Sequence, residues 1–383
     1  MSRPTICLSM IVKNEEKDIK RCLESVIPFI DYWVISDTGS TDKTKKIIQD
    51  TMDKHGVPGE LHDHEWVDFS TNRNYVLDLS REHADFIWVM DADDNFAPNG
   101  SDPFSLLDAE DKLVHMNYIF EDGVSFNRAC ILSSKEDMKF TGVLHEVITN
   151  ADGTTVEGDQ RRIIPGLGHI VARASPLKRN GTEKEKYLND AMILEKDLEA
   201  NPDNYRSMFY LGQSYQLAGA LKEAIKAYSL RALFPNEGFK DEAYLAKYEI
   251  AKIKIHLGYP EEECINCCIE AWEACPTRIE PITLVMNYLY QRGRIGYALA
   301  LGMMAVRTVN PQPTAPKLES SVYEYKFPDI YALCRFQCGE RKEALKSLED
   351  LVAKYEGDES KGEAIKILQG TIDTFKEIMQ EDE

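Results

Sequence analysis

Phe86-Ile87-Trp88-Val89-Met90-Asp91-Ala92-Asp93-Asp94 is a five-residue apolar run that stops in three carboxylates within four residues. A run this short, closed by an acidic turn, reads as a strand buried on both faces. Asp-x-Asp at the carboxyl end of such a strand is a place to hold a divalent cation, because hard cations take clustered oxygen ligands. In an open α/β sheet, ligands bind just outside the carboxyl ends of the strands. An isolated Asp-x-Asp is more often a plain acidic turn, so the sequence upstream of it decides the reading.

That upstream sequence alternates strands and helices. Thr5 to Val12 is a near-continuous apolar strand, and Lys13-Asn14-Glu15-Glu16 turns into a helix with Ile19, Cys22, Leu23, Val26 and Ile27 at 3.6-residue spacing. Tyr32 to Ser36 is a second strand, followed by the turn Asp37-Thr38-Gly39-Ser40. Ser40 or Thr41 is positioned to cap a helix that runs to His55 and stops at Gly56. Glu60 to Trp66 reads as a weaker third strand, and Ser70 as the cap of a helix carrying Arg73, Tyr75, Val76 and Leu79. The order βαβαβαβ implies a mostly parallel sheet with right-handed crossovers. Beyond Asp94 the pattern turns to hairpins: Val114–Phe120 and Ser125–Leu132 about Glu121-Asp122-Gly123, then short strands at Val143–Thr149, Arg162–Ile164 and His169–Val171. Ala172 to Pro176 reads as a linker.

From about Glu183 the chain is helical and repetitive. Gly219…Ala224, Gly293…Ala298 and Gly339…Ala344 share one spacing, with Gly258…Cys264 as a degenerate copy. The glycines are 35 to 46 residues apart, within the range of tetratricopeptide-like helix–turn–helix repeats. Such repeats cannot bury their faces alone and stack. The expected fold class is therefore α/β, a Rossmann-like mostly parallel sheet over residues 1–175, followed by an all-α repeat domain over 176–383.

Composition narrows the partners. A net charge of -20 argues against nucleic acid or an anionic membrane face as the main partner. No apolar run approaches the ~18 residues of a spanning helix, and the first residues lack the layout of a signal peptide. Nine cysteines, an odd number scattered through the chain, read as reduced thiols in a cytoplasmic protein.

Leu8-Ser9-Met10-Ile11-Val12-Lys13-Asn14-Glu15-Glu16, Ile35 to Asp42, Arg73-Asn74 and Met90 to Asp94 resemble, in order and spacing, the family 2 glycosyltransferases. The branch that the whole chain is most similar to carries C-terminal tetratricopeptide repeats and includes bacterial peptide S-glycosyltransferases. The resemblance implies a GT-A fold, a nucleotide-sugar donor, with a UDP-sugar favoured, Mn²⁺ or Mg²⁺, and inversion at the anomeric carbon. It places Asp93 on the metal and Asp91 on the ribose or a metal-bound water. Asp94 stands where the family commonly has glutamate. Asp37 matches the base-recognition aspartate, whose carboxylate accepts the N3 proton of uracil. Arg73 is expected over the base or at the diphosphate. Glu15 or Glu16 is expected either at the nucleotide or as a helix-starting acid. Asp42 reads as structural.

Inversion needs a base for the acceptor's proton, worth typically 10²–10⁴-fold. Phe140 to Glu146 is similar to the family's Gly-x-x-His-Glu segment, which nominates Glu146 as the base, with Asp122 or Asp94 as alternatives, and His145 at the acceptor or phosphate. His169, in Gly166-Leu167-Gly168-His169, matches the late histidine that completes the metal or diphosphate site. Cys264-Ile265-Asn266-Cys267-Cys268 lies on a repeat helix without a second zinc knuckle. His62-Asp63-His64 reads as the end of a surface strand. The expected function is transfer of a sugar to a peptide, protein or saccharide acceptor, with the repeats selecting the acceptor or forming a homodimer. The alternative is a degenerate transferase domain on a protein-binding scaffold.

Overall fold

The computed structural model describes residues 3–120, 125–154, 156, 160–164, 166–172, 182–307 and 318–381. The expected turn at Glu121-Asp122-Gly123, the alternative base Asp122 and the linker residues 173–176 lie outside them. The chain divides into two compact units, Met1–Lys186 and Tyr187–Glu383.

In the first unit β1 (Ile6–Val12), α1 (Ile19–Val26), β2 (Tyr32–Asp37), α2 (Thr44–His55), β3 (Gly59–Asp63), α3 (Phe69–Ser80) and β4 (Phe86–Val89) follow the expected alternation. Then come β5 (Asn95–Pro98), β6 (Leu113–Phe120), β7 (Ser125–Ser133), β8 (Met138–Thr141), β9 (Val147–Asn150), β10 (Arg161–Ile163) and β11 (Gly168–Ala172). The main sheet runs β3-β2-β1-β4-β7-β6-β11-β5, with β10 beside β6, while β8 and β9 form a separate hairpin. β3, β2, β1 and β4 are parallel, and β7 runs antiparallel to both β4 and β6.

Strand β1 shows why the run is apolar at nearly every position. Ile6, Leu8, Met10 and Val12 enter the core with Ile19, Cys22, Leu23 and Val26 of α1 and Ile48 and Met52 of α2. Cys7 faces the other way, onto Val34 and Val76 of α3. A strand covered by helices on both faces needs no polar alternation. Trp88 of β4 is fully buried and meets Phe96 and Phe104 edge-on, both at 4.9 Å.

Local details differ from the sequence expectations. The third strand ends at Asp63, so residues 64–66 are loop. The span 143–149 is not one strand: β9 begins at Val147, because Gly142 (φ 106°) and His145 (φ 53°) both take left-handed backbone that breaks a ladder. Strands β5 and β8 carry too little apolar pattern to stand out. Helix α3 is capped by Asp68 rather than Ser70, its carboxylate accepting from the Thr71 N–H at 2.7 Å. Neither Ser40 nor Thr41 caps α2; Asp42 accepts from the Thr44 N–H at 2.9 Å, which makes it structural.

The second unit is a succession of helices: α4 (Glu183–Ala200), α5 (Tyr205–Leu217), α6 (Leu221–Ala232), α7 (Lys240–His256), α8 (Glu261–Ala274), α9 (Glu280–Tyr290), α10 (Ile295–Ala305), α11 (Phe327–Gln337), α12 (Arg341–Tyr355) and α13 (Gly362–Glu381). Gly219, Gly258, Gly293 and Gly339 each sit at a helix turn with φ between 70° and 99°. The residue after each glycine donates its N–H five residues back, as in Ala220 to Tyr215 at 2.8 Å and Arg294 to Leu289 at 2.9 Å. This bond ends each first helix in the same way. Ala224, Cys264, Ala298 and Ala344 on the following helices are all fully buried, so the recurring small residue marks where the two helices of a hairpin close.

Gly212 of α5 shows how tight that closure is, because a Cβ there would meet the ring of buried Tyr228 at 2.5–2.7 Å. Gly212→Val is expected to lower the stability of the second unit by about 1–3 kcal/mol through overpacking, read by urea denaturation. An unchanged midpoint would mean that α5 and α6 do not pack as described.

Candidate active site

The parallel register aligns Val12 with Asp37 and Ser9 with Val89, so the carboxyl ends of β1, β2 and β4 open on one edge of the sheet. Two loops are tied together there. Asn14, at φ 57°, accepts from the Thr41 N–H at 2.8 Å and donates its own N–H to Ser40 Oγ at 2.8 Å. Glu15 donates its N–H to Thr44 Oγ1 at 2.7 Å, and its carbonyl accepts from Asp18 and Ile19 to start α1. These are backbone bonds; Glu15 lies before the first turn of α1, which carries no acidic residue.

Asp37 closes β2 and is 1% exposed. Its Oδ1 accepts from the N–H groups of Gly39 (2.9 Å) and Ser40 (2.7 Å), while Oδ2 is buried with no hydrogen-bond partner. It lines a cleft of about 420 Å³ with Lys13, Thr38, Gly39, Asp63, His64, Glu65 and Trp66. His64 stacks on Tyr75 at 4.0 Å and bonds Asn72, whose amide also accepts from the Val67 N–H and donates to the Glu65 carbonyl. The His62-Asp63-His64 run thus ends in a wall of this cleft.

A second cluster forms beyond β4. Arg73 of α3 is 4% exposed; its Nη2 donates to Asp91 Oδ1 at 2.6 Å and its Nε to Glu146 Oε1 at 2.8 Å. Arg128 of β7 donates from Nη1 to Asp91 Oδ2 at 2.7 Å, and its Nη2 lies 3.9 Å from Glu146 Oε1. The sequence nominated Arg73, Asp91 and Glu146 separately, and the fold brings them together. Arg128 had not been singled out; an arginine leading into the apolar stretch Ala129-Cys130-Ile131-Leu132 of a strand was the available signal.

Neighbouring bonds hold this cluster in place. Asn74 donates to the Phe140 carbonyl at 2.8 Å and accepts from its N–H at 2.7 Å, fastening the β8–β9 hairpin to α3. The pair Arg73-Asn74 therefore does two jobs, one residue entering the cluster and the next anchoring the hairpin that carries Glu146. The Asp91–Asp94 turn is fixed from α1 by Arg21, which donates to the Asp93 carbonyl at 2.7 Å. Burial pushes the Asp91 carboxyl up, but the guanidiniums of Arg128 and Arg73 outweigh it and hold the group far below the usual carboxylate range. Burial, with Asp91 and Asp93 alongside, pushes Asp94 up to about 8, and its buried Oδ2 has no hydrogen-bond partner.

The expected cation can be tested against these groups. Among the described residues, no three His, Cys, Asp or Glu are grouped as a cation site. Asp91 has both oxygens on guanidiniums, and His169 lies in β11 between Ala97 and Asn117, not in a ligand cluster with Asp91 and Asp93. Asp93 and Asp94 supply hard oxygen at the turn, Asp94 with its unsatisfied Oδ2. Two carboxylates completed by substrate phosphates are the usual way Mg²⁺ is held. The turn fits a cation of that kind and not a cage made by the protein alone.

Residues 7–107 match glycosyl transferase family 2, so the first unit carries a domain of that family. The chain is 24% identical over 249 residues to the SPbeta prophage-derived glycosyltransferase SunS of Bacillus subtilis, covering 63% of this chain and 56% of that protein. The chain thus spans about half the length of the curated relatives it matches first. A TPR repeat-containing protein of Synechococcus elongatus is 37% identical over 90 residues, 23% of this chain and 20% of its own length. Among solved structures, S. aureus TarS 1–349 in complex with UDP-GlcNAc is 13% identical with a TM-score of 0.38, covering 76% of this chain and 92% of that one. MamA is 15% identical with a TM-score of 0.35, covering 45% and 85%. The family match contains Asp37, Arg73, Asp91, Asp93 and Asp94 and ends before Arg128, Glu146 and His169.

Removing Arg73 would leave Glu146, whose side chain is 11% exposed, short of its nearest counter-charge. Arg73→Met is expected to cost the first unit about 2–4 kcal/mol, below the fully buried limit because Asp91 is partly solvated. Urea denaturation followed by circular dichroism measures it, and a loss under about 0.5 kcal/mol would place the pair in the surface class.

Proposed function

We propose that the first unit transfers a sugar from a nucleoside diphosphate sugar, a UDP-sugar, to a peptide, protein or saccharide acceptor with inversion. The observation that carries this reading is Glu146, nearly buried beside the Asp91–Asp94 turn, with both of its arginine contacts on Oε1. Among the described residues, Oε2 accepts no side-chain hydrogen bond, and this is the oxygen assigned to the acceptor's proton.

In that step the acceptor's lone pair forms a bond to the anomeric carbon as its proton passes to Glu146 Oε2. The bond from that carbon to the phosphate oxygen breaks, and its electron pair leaves on the nucleoside diphosphate. Mn²⁺ or Mg²⁺, held by Asp93, Asp94 and the phosphates, would supply Lewis-acid stabilisation of the leaving diphosphate. Asp37 serves the base: two backbone N–H groups orient its Oδ1, which leaves the unpartnered Oδ2 to accept the uracil N3–H. Asp91 serves as the counter-ion of two arginines and not as a donor ligand, because neither of its oxygens is available. The second unit is assigned the acceptor, as helix-hairpin stacks present extended surfaces. All nine cysteines are unpaired, which suits a cytoplasmic protein, and no helix among the described residues is long and apolar enough to cross a membrane. A degenerate site would gain nothing from three neighbouring carboxylates that repel one another.

Glu146→Gln keeps the shape and an acceptor oxygen for Arg73 but removes the base. UDP release from UDP-glucose or UDP-N-acetylglucosamine is expected to fall by about 10²-fold or more, while UDP affinity measured by calorimetry holds within about threefold. Turnover at the wild-type rate would place the base elsewhere.

A further inference from the structure

We infer that Arg128 is a positioning residue for Glu146, acting through that carboxylate and not on the donor. The inference rests on Glu146 as the base. Arg128 stands on β7, paired antiparallel with β4, so it reaches Asp91 from a different element than Arg73 of α3. Its guanidinium lies over the Tyr118 ring at 5.4 Å, which fixes its plane. One arm of the fork holds Asp91 Oδ2 at 2.7 Å; the other lies 3.9 Å from Glu146 Oε1.

The need for such a brace comes from where Glu146 sits. It occupies the five-residue loop between β8 and β9, outside any ladder, and follows a residue in left-handed backbone. A Cβ at Gly142 would approach the Leu144 carbonyl at 3.3 Å and Glu146 Cα at 3.6 Å, so the loop backbone is compact. Nothing in that backbone sets the rotation of the carboxylate. Arg73 Nε makes one direct bond to Oε1, about which the group can still swivel. A second cation 3.9 Å from the same oxygen, approaching from another element, restricts that rotation and leaves Oε2 for the acceptor. Asp91 has both oxygens engaged and acts as the fixed post that holds the two guanidiniums apart. Arg73 is almost wholly buried, whereas the Arg128 side chain is 30% exposed and can be altered with less damage to the fold.

The test uses the full chain and water as acceptor, reading UDP release from UDP-glucose and UDP-N-acetylglucosamine. Arg128→Met is expected to lower kcat on the order of 10²-fold, as a misplaced catalytic group does. Donor KM and calorimetric UDP affinity should stay within about threefold. Arg128→Lys restores the charge without the fork and should recover part of the loss. Arg128→Met added to Glu146→Gln should be no slower than Glu146→Gln alone, because groups acting as a unit are non-additive. Loss of UDP affinity in step with rate would make Arg128 a donor ligand and overturn the inference, as would effects that multiply in the double variant or a wild-type kcat. If Arg128→Met does not fold, Arg128→Lys carries the same cycle. A wild-type protein that neither binds UDP nor releases it would instead overturn the assigned function, and this inference with it.

Discussion

A single carboxylate gripped by two guanidiniums organises the catalytic end of the first unit. Asp91 receives Arg73 at 2.6 Å and Arg128 at 2.7 Å, one on each oxygen, and through them β4, α3 and β7 converge on one point. Bringing two cations to a poorly solvated place is costly unless anions meet them. Asp91 meets both, and Glu146 takes the remaining charge of the pair, so the four groups sum to neutrality. Asp94, next to this balanced set, is buried with Asp91 and Asp93 alongside, which pushes its carboxyl up to about 8, a repulsion that a bound cation would relieve. The same charge balance thus explains an ionised Asp91 and an oriented Glu146.

The parts legible in the sequence are those governed by local periodicity. The near-continuous apolar run of β1 announced helices on both faces, and Ile6 and Cys7 enter different clusters as that requires. The turn glycines of the repeats were legible because each needs left-handed backbone at the same step. The place of Asp37 at the end of β2 was legible because an apolar strand gives way there to a glycine turn, while its role came from the family resemblance alone. What stayed hidden depended on long-range pairing. Arg128 is 37 residues from the aspartate it holds, and a strand pattern reports burial without naming a partner. Glu146 was identified by its motif, but Val143-Leu144 read as strand, whereas Gly142 and His145 make that segment a loop. The caps failed for a similar reason. Asp68 and Ser70 are both capable, and only the fold shows that Asp68 reaches the Thr71 N–H, with Ser70 donating to the same carboxylate at 3.0 Å.

The cleft at Asp37 and the cluster at Asp91 divide the labour along one edge of the sheet. The first presents a buried, unsatisfied carboxylate oxygen beside His64 and Trp66, a setting that selects a planar donor of hydrogen bonds. The second presents a carboxylate oriented by cations, a setting suited to accepting a proton. In the second unit the buried charges Arg231, Arg278 and Glu280 are met within the helix stack: Arg231 donates to the Phe234, Glu237 and Phe239 carbonyls, and Arg278 and Glu280 lie 2.6 Å apart with Tyr323 beside them. Under the proposed function, chemistry falls to the first unit and acceptor recognition to the second.

The assignment of the donor is the claim on which the functional account turns. It is tested most directly by calorimetric titration of UDP, with GDP as the control, with and without Mn²⁺, on the wild type and on Asp93→Ala. The account predicts that UDP binds in preference to GDP, that Mn²⁺ strengthens it, and that Asp93→Ala removes the metal dependence without unfolding the chain. Binding of neither nucleotide, or equal binding of both regardless of Mn²⁺ and of Asp93, would contradict it.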